Sequence, residues 1–483
     1  MEKKSVIVHP FEAFIPLVFL IVLLIINVRI FHDDATSGPN QFALILGGIV
    51  AGAIGFTKGI GYDAMLCKVS RNIASVSGAI MILLFVGALT GIWLLSGIIP
   101  TMIYYGLELL NPVFFPLSAL VISALISLVI GSSWSTTATI GVAMMGIGTA
   151  LGYSPGLIAG AVISGAYFGD KISPLSDTTN LASAVAGVDL FTHVRYMLYT
   201  TVPSISIAAV LFLLLGLHHT SGEISDHRLL LQEIKRVFHI SPWLFSVPLL
   251  VIALIVMKTR PLIALFAGVF AGMFAALVFQ RDLLSELAGG GYEAGAFYRV
   301  ITQAIVGKLS IDTHNAILKE LFTSDGMTGM LSTIWLIISA MFFGGVMEAI
   351  GALKRISELL LSAFKGIFGL FLSTDLTCLF FNATASDQYL AIVVPGKMYK
   401  QAFEDKGLAP ENLSRTLEDS GTVTSVLVPW NTGGAYNSKV LGVPTTEYLP
   451  YAFFNLISPV MTLIFAAFRI KIRMRKVSRE NLA

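Results

Sequence analysis

Apolar residues in this chain come in long runs. Phe14 to Ile26, Ile73 to Ile99, Val113 to Ile130, Val202 to Leu217, Trp243 to Met257 and Leu262 to Phe279 are the clearest. Several reach the ~20 residues that a ~30 Å hydrocarbon core requires of a helix. The pattern predicts an all-α membrane protein. A transmembrane β-barrel is excluded, because its strands alternate and seldom exceed about ten residues. The first run lacks a small-residue cleavage site and more runs follow it, so it reads as a retained span rather than a signal peptide.

Composition agrees. Of 483 residues, 55% are hydrophobic and 12% charged, and the mean hydropathy is +0.81. A soluble chain of this length needs far more charge to cover its exterior. The formal net charge of +2 argues for no nucleic-acid or acidic partner. Cys67 and Cys378 lie in or beside apolar stretches and read as small hydrophobes, with no disulfide and no metal.

Short motifs recur in the same order along the two halves. Gly48-Ile-Val-Ala-Gly52 returns as Gly268-Val-Phe-Ala-Gly272, and Gly61-Tyr-Asp-Ala64 as Gly291-Tyr-Glu-Ala294. Gly91 and Gly97 match Gly345 and Gly351, Pro174 matches Pro429, and Tyr196 and Pro203 match Tyr451 and Pro459. Residues 1–217 and 243–470 are therefore read as two repeats. Lys58, Lys68 and Arg71 follow the second span of the first half, whereas Lys258 and Arg260 follow the first span of the second. Basic loops favour the cytoplasm, so equivalent loops fall on opposite sides and the repeats are inverted. The same rule places both termini in the cytoplasm, with 471–483 a basic cytoplasmic tail and 218–242 an external linker. The second repeat carries an insertion, 281–327, expected to be an external amphipathic segment in which His314 is a surface residue.

Four polar stretches interrupt apolar sequence at matching places. Gly131-Ser-Ser-Trp-Ser-Thr-Thr137 pairs with Asn382-Ala-Thr-Ala-Ser-Asp387, and the stretch from Gly169 to Asn180 pairs with Pro429-Trp-Asn-Thr-Gly-Gly-Ala435. The second pair contains proline, which frees a helical carbonyl. Irregular backbone at membrane depth survives only where protein or a water-filled cavity satisfies it. Freed carbonyls and helix ends are hard oxygen sites for a dehydrated cation. Ser133, Ser135, Thr136, Ser173, Ser176, Thr178, Asn180, Thr384, Asn431 and Thr432 are the neutral candidates for ion or substrate binding.

Carboxylates at bilayer depth cost about 2.5–3.5 kcal/mol each on insertion scales and are functional candidates by default. Asp170 has Lys171 beside it as an expected partner. Asp177 sits among hydroxyls without an adjacent base and reads as the better cation ligand, with Ser133 and Thr136 completing a Na+ site. Asp387, beside Ser386, is the first choice for a proton carrier. Asp419, Asp177 and Asp170 are the other proton-coupling candidates; Glu418 and Glu348 are further intramembrane acids.

The segment Gly169-Asp-Lys-Ile-Ser-Pro-Leu-Ser-Asp-Thr-Thr-Asn-Leu-Ala182, with Gly131 to Thr137 upstream, resembles the NhaC-type Na+/H+ antiporter family of the ion transporter superfamily. The resemblance implies a re-entrant hairpin and a broken helix in each repeat, a scaffold domain that dimerises, and an elevator-like transport domain. Ser133 to Thr137 and Thr384 to Asp387 would then be hairpin tips, and Ser173 to Asn180 and Pro429 to Ala435 the unwound breaks. It also implies a bacterial cytoplasmic membrane protein that exchanges Na+ for H+, with Na+ as the transported ion and no cofactor. The same family includes relatives similar to malate/lactate exchangers. Na+-coupled exchange or symport of a small organic acid is therefore the alternative, with the helix start at Asn431 and Thr432 facing its carboxylate. No cofactor motif or nucleophile constellation points to an enzyme.

Overall fold

The computed structural model describes residues 8–31, 35, 38–218, 227–257, 259–290 and 293–475. Asp33, the middle of the linker, Lys258, Gly291, Tyr292, and the tail residues Lys476 and Arg479 lie outside them. Among the described residues eight helices are long and apolar enough to cross a membrane, and two bent helix pairs raise this to as many as ten.

Small residues set the closest approaches. Pro39–Thr57 packs along Leu331–Ala349. A Cβ added at Gly48 would stand 2.5 Å from the Phe342 ring, and one at Gly55 would stand 2.7 Å from Ile350. Phe115–Ile130 and Pro155–Ile172 meet backbone to backbone, since a Cβ at Gly165 would lie 2.2 Å from the Leu120 carbonyl oxygen and one at Gly169 2.3 Å from that of Ala124. Lipid offers helices no hydrophobic drive to associate, so this close packing supplies much of the cohesion.

Two hairpins and two broken helices follow from local chemistry. The first hairpin joins Phe115–Ile130 to Ser133–Thr136 and its continuation to Ala150. It turns on Gly131 at φ 74°, and the Ser132 hydroxyl accepts from Ser135 N at 3.2 Å. The second joins Gly366–Thr384 to Gln388–Asp405, turning on Ser386 at φ 58°, with the Asp387 carboxylate accepting from Leu390 N at 2.9 Å. The first broken helix runs Pro155–Ile172, unwinds over 173–176 and resumes as Asp177–Ala186, capped by Ser176. The second runs Pro410–Leu417, passes a π-helical turn Glu418–Thr422 and a 3-10 turn Ser425–Leu427, and resumes as Thr432–Leu441, capped by Asn431.

Three expectations need correction. The run Ile73 to Ile99 is not one span. An amphipathic helix Tyr62–Ser75 ends there, Ser77–Leu95 crosses, and left-handed Gly97 starts Ile98–Leu109. The Ser75 and Ser77 hydroxyls bond the carbonyls of Asn72 and Ala74, which separates the first two helices. The run Trp243 to Met257 holds a helix of only 11 residues, Ser246–Val256, set at 81° to Leu229–Val237 through a 3-10 turn. The unwound breaks are shorter than the sequence suggests, because helix is regained at Asp177 and Thr432.

The insertion contains Arg281–Leu287, Ala294–Val306, Ala316–Leu321 and an antiparallel pair, Leu309–Ser310 with Thr323–Ser324. It is tied to the linker helix His227–Val237, where Glu233 accepts from His314 N at 2.8 Å and pairs with Arg236 at 2.7 Å. His314 is exposed.

Candidate ion-binding site

The two hairpin tips and the restarts of both broken helices meet at one cavity of about 270 Å³. The first hairpin contributes Ser132, Ser133, Trp134 and Ser135, and the second Asp387, Gln388 and Tyr389. Asp170 and Asp177 bracket the first break, and Thr432 opens the second restart. Ser75, Val76 and Pro261, from helices outside the hairpins, face them across the cavity. Three aspartates line this space, and its lining includes no Lys, Arg or His.

Asp170 is buried at the end of its helix. Its Oδ2 accepts from Ser133 N at 3.1 Å and Ser133 Oγ at 2.7 Å, whereas Oδ1 has no hydrogen-bond partner. Asp177 is exposed to the cavity; its Oδ1 accepts from Thr178 N at 2.9 Å and its Oδ2 from the Tyr389 hydroxyl at 2.5 Å. Asp387 is buried and uses Oδ1 to cap its own helix. No group of three or more His, Cys, Asp or Glu side chains among the described residues is placed to hold one metal ion. A cation here would be held by one or two carboxylates and by neutral oxygens, all of them hard donors.

The expected Asp170–Lys171 pair is not formed. Lys171 points the other way and pairs with Asp419, both fully buried. Asp419 also accepts from Ser458 Oγ at 2.8 Å, Thr200 Oγ1 at 2.9 Å and Thr462 Oγ1. Adjacent residues on a helix diverge by about 100°, so sequence neighbours rarely share a partner.

The other candidates are mostly backbone ties. Thr136 Oγ1 donates to Ser132 O at 2.9 Å, and Thr384 Oγ1 to Phe380 O at 2.7 Å. Ser173 Oγ accepts from Leu175 N at 3.3 Å. Asn180 lies one turn into the resumed helix, and its amide donates to Pro174 O and Ser176 O. Asn431 bonds Gly433 N at 2.9 Å and Asn382 O at 2.9 Å. Thr432 N donates to Ser386 O at 2.9 Å, joining the second restart to the second tip. Thr178 turns away from the cavity, its Oγ1 donating to Glu418 Oε1 at 3.1 Å and pairing with Ser176 Oγ at 3.1 Å.

The sequence profile of the Na+/H+ antiporter family matches residues 165–470, which include the break and restart of the first broken helix, the second hairpin and the whole second broken helix. The chain belongs to the Na+/H+ antiporter family. It is 34% identical over 465 residues to the Na+/H+ antiporter NhaC of Alkalihalophilus pseudofirmus, covering 96% of each chain. It is also 34% identical to the malate-2H+/Na+-lactate antiporter of Bacillus subtilis, covering 94% of each. The arginine/ornithine antiporter ArcD of Halobacterium salinarum is equally similar at 34%, over 94% of this chain and 90% of that one. With its apolar helices, this antiporter-family chain is a multi-pass membrane protein.

Several residues in and around this cavity escaped the sequence reading. Gln388 and Tyr389 line the cavity but follow Asp387 in an ordinary helical sequence. Asp375, buried on the first arm of the second hairpin, accepts from Ser420 Oγ. A lone acid in the run Gly366–Thr384 was the available signal for it. Arg415 is fully buried with no hydrogen-bond partner for any of its nitrogens; it lies between the Tyr196 and Phe465 rings, 4.7 and 5.7 Å from their centroids.

Proposed function

We propose that this chain is a secondary active Na+/H+ antiporter whose Na+ site is the cavity between the hairpin tips. The observation that carries the reading is the lining: three aspartates, contributed by both halves of the chain, with no Lys, Arg or His. An anionic substrate would meet uncompensated negative charge there, which disfavours a malate or lactate site; Na+ would be attracted. Ser133, Asp170 and Asp177 are the proposed ligands, with Asp170 Oδ1 free to bind. Low dielectric favours a neutral acid over a carboxylate, and a bound cation reverses that preference, so Na+ and H+ exclude one another.

From Pro39–Thr57 and again from Pro261–Phe279, the order span, amphipathic helix, span, short helix, hairpin, broken helix, final apolar helix recurs along the chain, which supports two inverted repeats over 1–217 and 243–470. With both termini cytoplasmic, Ser75, Val76 and Pro261 mark the cytoplasmic mouth of the cavity, which in this reading is the inward-facing side of the site. In this reading the hairpins and broken helices move as one body against a scaffold that dimerises in the bacterial cytoplasmic membrane. Proteoliposomes carrying a Na+ gradient test the proposal. Proton movement that follows Na+ without malate, lactate or arginine supports it, and proton movement that requires one of them overturns it.

A further inference from the structure

A carboxyl outside the cation cavity goes unused by this account. Glu418 is fully buried and opens the π-helical turn Glu418–Thr422; such turns are frequent at functional sites. Oε1 accepts from Thr178 at 3.1 Å, and the only other hydrogen-bonding side chain turned toward the carboxyl among the described residues is the Thr422 hydroxyl four residues on, outside good hydrogen-bond geometry. The charged and titratable groups nearest it have other partners, with only Asp170 keeping one oxygen free for the cavity. Lys171 is held by Asp419 and Ser458, Asp170 by Ser133, and Asp375 by Ser420. His193 bonds Ser414, Tyr399 bonds Thr377, and Arg415 stacks on Tyr196. No ion pair to Glu418 forms among the described residues.

An ionised carboxylate in such a place lacks both water and a counter-charge, whereas the neutral acid needs only one hydroxyl partner. From Thr178 the hydroxyl chain continues to Ser176 Oγ at 3.1 Å, and Ser176 lies in the break between Asp170 and Asp177. We propose that Glu418 is the proton seat of the exchange. It holds a proton while the cation cavity is empty. When Na+ arrives at Asp170 and Asp177 it gives that proton up along Thr178 and Ser176, whose hydroxyls turn so that the acid donates, toward the break between the two aspartates. One Na+ in for one H+ out leaves the charge of the core unchanged, so both loaded forms cross at similar cost.

This inference rests on the antiport reading, and the test separates the two. Glu418→Gln and Thr178→Val are reconstituted beside the wild-type chain, and radiolabelled Na+/Na+ exchange and Na+-driven proton movement are both measured. Glu418→Gln should retain Na+/Na+ exchange while Na+-driven proton movement falls at least about fivefold, the low end of coupling between sites. Thr178→Val should slow proton movement and spare Na+/Na+ exchange. Wild-type proton movement in Glu418→Gln overturns the proposal, and so does loss of both activities in an inserted protein, which would place Glu418 in the Na+ site. A wild-type chain that exchanges Na+ for Na+ but moves no protons overturns the antiport reading itself.

Discussion

Lys171 at the end of the first broken helix and Asp419 in the π-helical turn of the second form a fully buried ion pair. The pair fastens the two broken helices together away from the cation cavity. Ser458, Thr200 and Thr462 supply further donors to Asp419, so both carboxylate oxygens are satisfied. A buried pair with every site filled adds little net stability, but it fixes which helices lie together.

Breaking one side of that pair should therefore be severe. Asp419→Asn leaves the Lys171 charge uncompensated and should cost about 3–5 kcal/mol. Lys171→Met combined with Asp419→Leu should recover most of the loss. Thermal unfolding in detergent micelles checks both, and a double variant no more stable than Asp419→Asn would contradict this account.

Tyr389 competes with a cation for Asp177. Its hydroxyl donates to Oδ2, and hydrogen bonds to charged groups are worth about 1.5–3 kcal/mol. Tyr389→Phe should tighten apparent Na+ affinity by about tenfold. Weaker binding would instead make the hydroxyl a Na+ ligand.

Gly169→Ala places a methyl group 2.3 Å from the Ala124 carbonyl oxygen and 2.6 Å from Leu128 N. Those are backbone atoms, so the helices must part, at a cost of about 1–3 kcal/mol, and Asp170 moves with them. Both stability and Na+ affinity should fall. Gly295→Ala, on a helix with nothing within 4 Å of the new Cβ, should change neither. Parallel melting and Na+-binding curves separate the two.

The clamp between linker and insertion should be sensitive to acid. The Arg236 guanidinium, with the His314 backbone N–H, holds Glu233 down at about 2 from its ordinary 4.5. As pH falls, the undocked chain takes up this proton first, so the clamp's contribution is full above pH 4.5 and is lost as pH falls towards 2. The protection factor of the His314 amide, its exchange rate relative to the intrinsic rate at the same pH, should be high at neutral pH and fall across that window. Glu233→Gln should show low protection throughout.

Most spans and the places where polar residues interrupt them were legible because each is a local property: run length, proline, and clusters of hydroxyl residues; that two of the interruptions are hairpin tips came with the family resemblance. Ser133, Asp170, Asp177, Asp387 and Thr432 reach the same cavity because each lies at a tip, a break or a restart. Which partner each charge chooses was not legible. Lys171 pairs 248 positions away rather than with its neighbour, and Thr178 turns from the cavity to a glutamate 240 positions away. Such pairings depend on how one broken helix is rotated against another, and run length carries no signal of that rotation. Tyr389 was missed for the same reason. Ser386 at φ 58° also left no mark, since the equivalent turn in the first hairpin uses glycine, Gly131.

The most direct test is whether Na+ binding releases protons, and whether it does so at this cavity. Calorimetric titration of the purified chain with Na+, in buffers of different ionisation enthalpy, gives the number of protons released per ion bound. Na+ binding that releases protons, tightens as pH rises and is lost in Asp177→Asn is the predicted result. Binding that releases no protons, or that survives Asp177→Asn unchanged, would contradict it.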